Sequence, residues 1–154
     1  MIELRDSTFI EVPPEQVWAW LEEMPLHYRQ WHPDHVACRY EDGRVLRTGT
    51  VLYVEERLHG RLHRLRLRAT EVVPGQVVRY ASRGFAGAFV IVPEGDGTRF
   101  TAELSFGIRA PIVGRVLDAM AGFTLRSRLE AFRTHMREEG ENLKRLLEQG
   151  RDVQ

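Results

Sequence analysis

The feature that most constrains the fold is a run of six alternating segments that fills the middle of the chain. Apolar and polar residues alternate within each segment, and Gly, Pro or Asp-Gly sequences separate one segment from the next. In chain order the segments read ACRYEDG, TGTVLYVEERLHG, RLHRLRLRATEVVPG, QVVRYASRG, GAFVIVPEGDG and TRFTAELSFGI. Consecutive strands with such short connections predict an antiparallel meander.

One further strand and a short helix precede the meander. Apolar residues occupy alternate positions over Ile2–Val12, which predicts a half-buried strand. The next segment, PPEQVWAWLEEM, has Pro14 at its start and a stripe of apolar residues at helical spacing, which predicts an amphipathic helix. The polar and aromatic segment HYRQWHPDH is interpreted as a structured loop, because Pro33 disfavours a helix entering it.

A long amphipathic helix is predicted after the meander, from about Pro111 to Gly150. Its apolar stripe contains Leu125, Leu129, Phe132, Met136, Leu143 and Leu147. This stripe must face the sheet to be buried. The order of elements therefore predicts an α+β helix-grip fold, in which a curved antiparallel sheet of six to seven strands wraps around the C-terminal helix and encloses a cavity.

The length and composition fit one globular unit. A chain of 154 residues buries roughly 70% of the surface that it exposes when unfolded. Hydrophobic residues make up 43% and charged residues 29%, which is not the balance of a disordered chain. No repeat or linker divides the sequence, so we expect a single domain over residues 1–150 and a short tail over 151–154.

Charge and hydropathy argue against nucleic-acid and membrane partners. Basic and acidic residues number 22 each, so no net field attracts a polyanion. The meander does carry an arginine-rich face around Arg64 and Arg66, but nearby acidic residues indicate a solvated surface. No segment approaches the ~18 apolar residues of a membrane span, and no export signal is recognised. With one cysteine, Cys38, unable to form an internal disulfide, we expect a cytoplasmic protein, and a homodimer remains open.

A hairpin register predicts which polar residues face the cavity. A two-residue loop at positions 60–61 would pair Leu58 with His63 and Glu56 with Leu65. In that register the apolar residues of both strands lie on one side of the sheet. Glu56 and His63 share this side and should therefore be enclosed.

The C-terminal helix contributes another carboxylate to the same space. His135 and Glu139 are four residues apart and project from one face, with Glu139 near the middle of the apolar stripe. An unpaired buried carboxylate costs several kcal/mol, so Glu139 and Glu56 must each be protonated, paired or bound to metal. A divalent cation would relieve the repulsion between them.

Three histidines, His27, His32 and His35, occur in the nine-residue predicted loop, which is expected at the cavity mouth. Imidazole and carboxylate ligands together favour zinc, with iron, manganese and nickel as alternatives. Each residue also has a structural interpretation. His135 and Glu139 would form an exposed ion pair, Glu56 would pair with an inward arginine, and the loop histidines would cap backbone groups.

The element order and the phrase VPPEQVWAWLEE resemble the START-like (SRPBCC) helix-grip superfamily, which includes Bet v 1 proteins, lipid-transfer domains and polyketide cyclases. The resemblance implies a pocket for a hydrophobic or aromatic ligand. Within it, HYRQWHPDH, VEERLHG and HMREE together resemble the 2,4-diacetylphloroglucinol and phloretin hydrolases, whose site holds zinc. The ligands of that family fall here on His35, Glu56, His135 and Glu139, with His32 as the alternative loop ligand.

The hydrolase resemblance implies cleavage of a carbon–carbon bond beside a carbonyl on a phenolic ring, aided by a metal that polarises the carbonyl. It would assign acid or base catalysis to His63 or His27, a hydrogen bond to a phenolate to Tyr28, and substrate contacts to Trp31 and His32.

This chain looks like the catalytic core of those hydrolases without their extra N-terminal region, so their substrate is not transferred to it. Two alternatives therefore stay open beside a metal-dependent hydrolase. One is a metal-free polyketide cyclase or dehydrase, and the other is a noncatalytic carrier of a hydrophobic small molecule.

Overall fold

The computed structural model of the protein describes residues 2–41, 43, 45–58, 60–107 and 122–150. The strands are β1 (Ile2–Ile10), β2 (His35–Tyr40), β3 (Val51–Leu58), β4 (Arg61–Val73), β5 (Val77–Ser82), β6 (Phe85–Glu94) and β7 (Gly97–Phe106). The helices are α1 (Pro14–Glu22), α2 (Met24–Trp31) and α3 (Gly122–Gln149).

All seven strands form one antiparallel sheet in the order β1-β7-β6-β5-β4-β3-β2. Strands β2 to β7 are neighbours in chain order, which confirms the predicted meander. The first strand, β1, pairs with the last, β7, with Ile2 opposite Phe106 and Ile10 opposite Thr98. The curved sheet with its C-terminal helix confirms the predicted helix-grip fold.

The interpretation of HYRQWHPDH as a loop is wrong over most of its length. Residues Met24–Trp31 form helix α2, and β2 begins at His35. Met24, Tyr28 and Trp31 are spaced as one helical face, and all three are buried. A proline is tolerated in the first turn, where its missing N–H has no intrahelical partner. Only the residues around Pro33 remain irregular.

The predicted β3–β4 register is wrong by two residues. Leu58 pairs with Arg61 and Glu56 pairs with His63, because the turn precedes Arg61 and includes Gly60 at φ 75°. A positive φ is easily adopted by glycine at this point of a tight hairpin. Since side chains alternate with a period of two, a shift of two residues keeps each side chain on its expected face.

Helix α3 lies against β1, and Gly140 packs directly against that strand. A Cβ added there would overlap Thr8 Oγ1 and would lie 3.3 Å from Asp6 Oδ2. On the predicted apolar stripe, Met136 and Leu143 are buried, and Leu129, Phe132 and Leu147 are partly buried. Part of the predicted helix, 111–121, and the side chain of Leu125 lie outside the described residues.

The apolar core is shared by the sheet and all three helices. Val17 and Leu21 of α1, Trp31 of α2 and Leu143 of α3 are essentially inaccessible to solvent, as is Phe100 of β7. None of the helices described here is long and apolar enough to cross a membrane. The core leaves a cavity between the sheet and α3, and the candidate site lies inside it.

Candidate functional site

The cavity encloses about 720 Å³ between the concave face of the sheet and helix α3. Most of its wall is apolar and comes from alternate residues of β3, β4, β6 and β7, among them Leu52, Val54, Leu65, Leu67, Phe89 and Leu104. One end differs, because the side chains of Tyr28, Glu56, His135 and Glu139 all reach the wall there. A cluster of polar groups in a mostly apolar cavity is typical of a site that orients a small molecule.

His35 is the residue behind this polar end, and its side chain is completely buried. Its Nδ1 lies 2.9 Å from the backbone carbonyl oxygen of Tyr28, so that nitrogen must carry a hydrogen and donate. Its Nε2 lies 2.9 Å from Glu139 Oε1 and 3.9 Å from Glu56 Oε1. A neutral His35 would therefore aim a lone pair at a carboxylate oxygen, and a proton or a cation is needed between them.

Glu139 accepts from histidines on two sides. His35 lies on one side, and His135 Nε2 lies 3.3 Å from the same Oε1 atom. Burial alone favours the uncharged acid, but hydrogen bonds from His135 and His35 and the charges of both rings lower the pKa of Glu139 to about 2. Glu139 is thus a buried carboxylate whose charge is compensated by imidazoles.

The pKa of His135 is shifted in the opposite direction to that of Glu139. Burial favours its neutral form, but the hydrogen bond and charge of Glu139, together with Glu56 and Asp34, raise the pKa of His135 to about 9. Its second ring nitrogen, Nδ1, is buried and lacks a hydrogen-bond partner among the described residues. The nearest carboxylate to Nδ1 is at 3.7 Å, on Asp34. His135 therefore connects the inner cluster to a partly exposed acid.

Glu56 is held by the hydroxyl of Tyr28, which donates to Glu56 Oε1 through a short hydrogen bond. The Tyr28 ring also stacks on His35, with 4.0 Å between the ring centroids. Burial and the charge of Glu56 raise the pKa of Tyr28 well above its ordinary value. The Tyr28 hydroxyl is therefore committed to Glu56, where the sequence predicts a hydrogen bond to a phenolate.

Three of these side chains hold potential metal ligands close together. One ligand atom each from His35, His135 and Glu139 lies within 4.8 Å of the other two. Two ligands on a tetrahedral zinc ion are about 3.4 Å apart, from bond lengths of about 2.0–2.1 Å. Glu139 Oε1 lies 2.9 Å from His35 Nε2 and 3.3 Å from His135 Nε2, and His35 Nε2 lies 3.9 Å from Glu56 Oε1. These separations lie on both sides of the zinc value.

The structure places His32 and His27 away from the cavity wall. His32 is buried, but its Nδ1 accepts from the Asp34 N–H at 3.0 Å and its Nε2 lies 2.6 Å from Glu138 Oε2. Both nitrogens are thus used, and His35 is the one that faces Glu139. His27 stacks on Trp20 and contacts Gln30 and Glu23 on the outer side of α2. The predicted acid or base role for His27 therefore has no structural basis.

His63 and Trp31 do line the cavity, as expected. His63 lies directly opposite Glu56 in the β3–β4 pair. Trp31 is 1% exposed, packs edge-on against His35 and donates its indole N–H to the Glu139 carbonyl oxygen at 3.0 Å. The expectation that the histidine segment forms the cavity mouth is wrong, because His35 and Trp31 lie at the buried end.

Several site residues were missed from the sequence. Asn142 donates to the Trp31 carbonyl oxygen at 2.9 Å and Glu138 contacts His32, so both join α3 to α2. The available signal was the run HMREEGEN, which repeats polar residues at helical spacing beside the apolar stripe. Cys38 stays structural, because burial and Glu56 raise the pKa of its thiol to about 12.

Comparison with known proteins supports the fold and assigns a family. The family model that matches is described as polyketide cyclase / dehydrase and lipid transport, and the match spans residues 1–148. No curated protein sequence matches the chain.

Solved structures resemble the chain at low identity. The protein TTHA0849 from Thermus thermophilus superposes with a TM-score of 0.73 at 17% identity, covering 97% of this chain and 99% of that one. The di-domain ARO/CYC protein BexL from the BE-7585A biosynthetic pathway gives 0.70 at 17% identity, over 93% of this chain and 48% of BexL. A START superfamily protein from Mycobacterium smegmatis gives 0.55 at 21% identity, over 87% and 96%.

Proposed function

The chain belongs to the polyketide cyclase/dehydrase and lipid-transport family, and from that premise we propose that it binds an aromatic or polyketide-like small molecule and catalyses its cyclisation or dehydration. The observation that carries the proposal is the cluster of Tyr28, His35, Glu56, His135 and Glu139 at one end of a mostly apolar cavity. A purely lipid-binding cavity would have no need to bury two carboxylates and two imidazoles, because such groups are costly to desolvate.

The cavity is suited to a molecule of a few rings. Its volume of about 720 Å³ lies within the range of roughly 300–1,000 Å³ found for small-molecule sites. Phe89 and Leu104 offer apolar contact to the body of a ligand, while the polar end would receive a carbonyl oxygen. Burial of the ligand would also keep water from the reacting atoms.

We further propose that the polar end binds one divalent metal ion, zinc in the first instance, through His35, His135, Glu139 and Glu56. The support is the approach of His35 Nε2 to Glu139 Oε1 at 2.9 Å, while His35 Nδ1 is engaged by a backbone carbonyl. Metal-binding histidines commonly donate their other ring N–H to a carbonyl in this way. A zinc ion there supplies Lewis-acid polarisation of a carbonyl group.

The chain's own residues would provide the remaining chemistry. Cyclisation and dehydration both need a proton taken from a carbon beside a carbonyl and a proton delivered to an oxygen. His63 is a titratable side chain in the wall of this space, opposite Glu56, and we assign it the proton transfer at that carbon. Tyr28 positions Glu56 through its hydroxyl, and Trp31 fixes the backbone of Glu139.

Activity assays on variants test this assignment. Poly-β-ketone mimics and acylphenols would be incubated with the wild-type protein, with His63→Gln and with Glu139→Gln, and ring closure or loss of water would be followed by mass spectrometry. We expect His63→Gln to lower kcat by about 10²–10⁴, the usual contribution of one acid–base group. Glu139→Gln should abolish turnover, and His27→Gln, altered outside the cavity, should retain it. Full activity in Glu139→Gln would overturn the proposal.

A second candidate, metal-dependent hydrolysis of a carbon–carbon bond, is favoured by the specific combination of two imidazoles and two carboxylates. In that reaction water adds to the acyl carbonyl carbon, the bond from that carbon to the phenolic ring breaks, and the ring carbon takes up a proton. The products are a carboxylic acid and the deacylated phenol. Release of acetate from a monoacetylated phloroglucinol would identify the hydrolase, whereas loss or relocation of water within one molecule would identify the cyclase or dehydrase.

A further inference from the structure

The cavity wall also carries positive charge outside the acidic cluster, beginning with Arg128 on α3. Arg128, Phe132, His135 and Glu139 are spaced by four, three and four residues, so they follow one line along the helix face. Their burial increases along that line, from the exposed Arg128 to the buried Glu139. All four residues contribute to the cavity wall. Arg128 is therefore the outward end of the same face that bears the acidic cluster.

Arg61 approaches the same opening from the sheet. It begins β4, and the alternation of the strand puts it on the same face as His63, Leu65 and Leu67. Each of these residues lines the cavity. The other β4 arginines, Arg64, Arg66 and Arg68, alternate to the outer face, where Arg64 pairs with Glu55 and Arg66 with Glu41. Arg61 thus differs from its neighbours in facing the ligand space.

Neither arginine is neutralised by a carboxylate within the part of the chain that the structure describes. Of the acids in the cavity wall, Glu56 accepts from Tyr28 and Glu139 from the histidines, while Glu103 is engaged by Arg79 at 3.7 Å and alternates with the inward-facing Ala102 and Leu104. His63 is the other titratable group on this part of the wall. The opening therefore offers two guanidinium groups to a ligand whose apolar body fills the cavity.

We propose that Arg61 and Arg128 form a subsite for a carboxylate group, so that the substrate is an aromatic or polyketide-like acid bound with its carboxylate at the opening. This inference rests on the proposed function, since it concerns the ligand of the same cavity. Guanidinium groups bind carboxylates through charge-assisted and often bidentate hydrogen bonds. From Arg128 to His135 the helix rises about 10 Å, which sets the distance between the carboxylate and the reacting carbonyl.

A displacement assay tests the subsite with a matched pair of ligands. The neutral dye N-phenyl-1-naphthylamine would report cavity occupancy by fluorescence, and biphenyl-4-carboxylate and the isosteric biphenyl-4-carboxamide would compete with it. We expect the wild-type protein to bind the carboxylate about tenfold more tightly than the amide, and to lose this preference at high salt. The double variant Arg61→Gln/Arg128→Gln should bind both competitors equally, with unchanged affinity for the dye. Arg68→Gln, on the outer face of β4, should behave as wild type.

The outcomes separate the subsite from the cavity. If the dye binds but the carboxylate preference is absent, or persists in the double variant, the arginine subsite is wrong while the ligand cavity stands. Persistence would mean that the carboxylate binds at the acidic cluster instead. If the dye fails to bind the wild-type protein at all, the proposed cavity function and the subsite are both overturned.

Discussion

At the scale of single residues, Glu55 and Glu56 make the same kind of contact on opposite faces of β3. Glu56 accepts from Tyr28 at the cavity, and Glu55 accepts from Tyr53 at 2.6 Å on the outer face. We expect Tyr28→Phe to lower the free energy of unfolding by about 1–3 kcal/mol, because a buried carboxylate loses its donor. Tyr53→Phe should change it by no more than about 0.5 kcal/mol, since water replaces the hydroxyl. Urea denaturation measures the free energy of unfolding of both variants. An equal decrease in Tyr28→Phe and Tyr53→Phe would contradict the role given to the Tyr28–Glu56 hydrogen bond.

The charge on His135 gives the metal-free protein a defined pH dependence. Because the pKa of His135 rises from 6.5 to about 9 on folding, the protonated ring stabilises the fold fully below pH 6.5. That contribution is lost as the pH rises through 9. With chelator present, the gap in Tm between wild type and His135→Gln should be widest at pH 6 and should narrow towards pH 9.5. A gap that widened over this range would contradict the assigned pairing of His135 with Glu139.

Most members of the polar cluster can be predicted from the sequence, but their partners cannot. Glu139 stands out because it interrupts an apolar helical stripe, and Glu56 because it shares a strand face with Leu52 and Val54. The choice of His35 over His32 depends on which ring nitrogens are already used by Tyr28, Asp34 and Glu138. Those contacts join residues up to 106 positions apart, and no local pattern encodes them.

At the scale of elements, Gly140 controls how closely α3 approaches β1. Glycine in a helix interior is disfavoured by about 1 kcal/mol against alanine, so its presence next to Glu139 needs a tertiary reason. That reason is Thr8, whose hydroxyl occupies the space that a Cβ would take. We expect Gly140→Ala to lower the free energy of unfolding by about 1–3 kcal/mol through overpacking.

A control for Gly140 is available in Gly107, where an added Cβ meets none of the described atoms within 4 Å. Gly107→Ala should leave the midpoint of urea unfolding nearly unchanged. If Gly140→Ala proved as stable as wild type, α3 would not depend on this contact for its position, and the depth of Glu139 would need another explanation.

Helix α2 is the element that sequence patterns predicted least well. It is only eight residues long, contains a proline, and includes the polar residues His27, Arg29 and Gln30. Its stability comes from tertiary contacts, since Trp31 donates to Glu139 and accepts from Asn142 on α3. A short helix held in this way cannot be distinguished from a loop by periodicity alone. By contrast, the meander was predictable because each turn and each strand has its own local signal.

At the scale of the whole molecule, the sheet and α3 form a cavity whose wall carries the acidic cluster and two arginines, Arg61 and Arg128. A register error of two residues does not change which face of β3 and β4 each side chain occupies. The sequence therefore places Glu56 and His63 on the inner face even though it mispairs them. Ligand space, however, is set by how far the sheet curves from α3, and that follows from packing rather than from any one segment. The proposed arginine subsite would orient the substrate relative to the acidic cluster.

The central proposal is that the cluster of His35, Glu56, His135 and Glu139 binds a divalent metal ion. Elemental analysis by mass spectrometry of wild-type protein, loaded with zinc and freed of excess by gel filtration, tests it most directly. The account predicts about one equivalent of metal per chain in the wild-type protein and in His27→Gln, and almost none in Glu139→Gln. Absence of metal from the wild-type protein, or equal metal in Glu139→Gln, would contradict it.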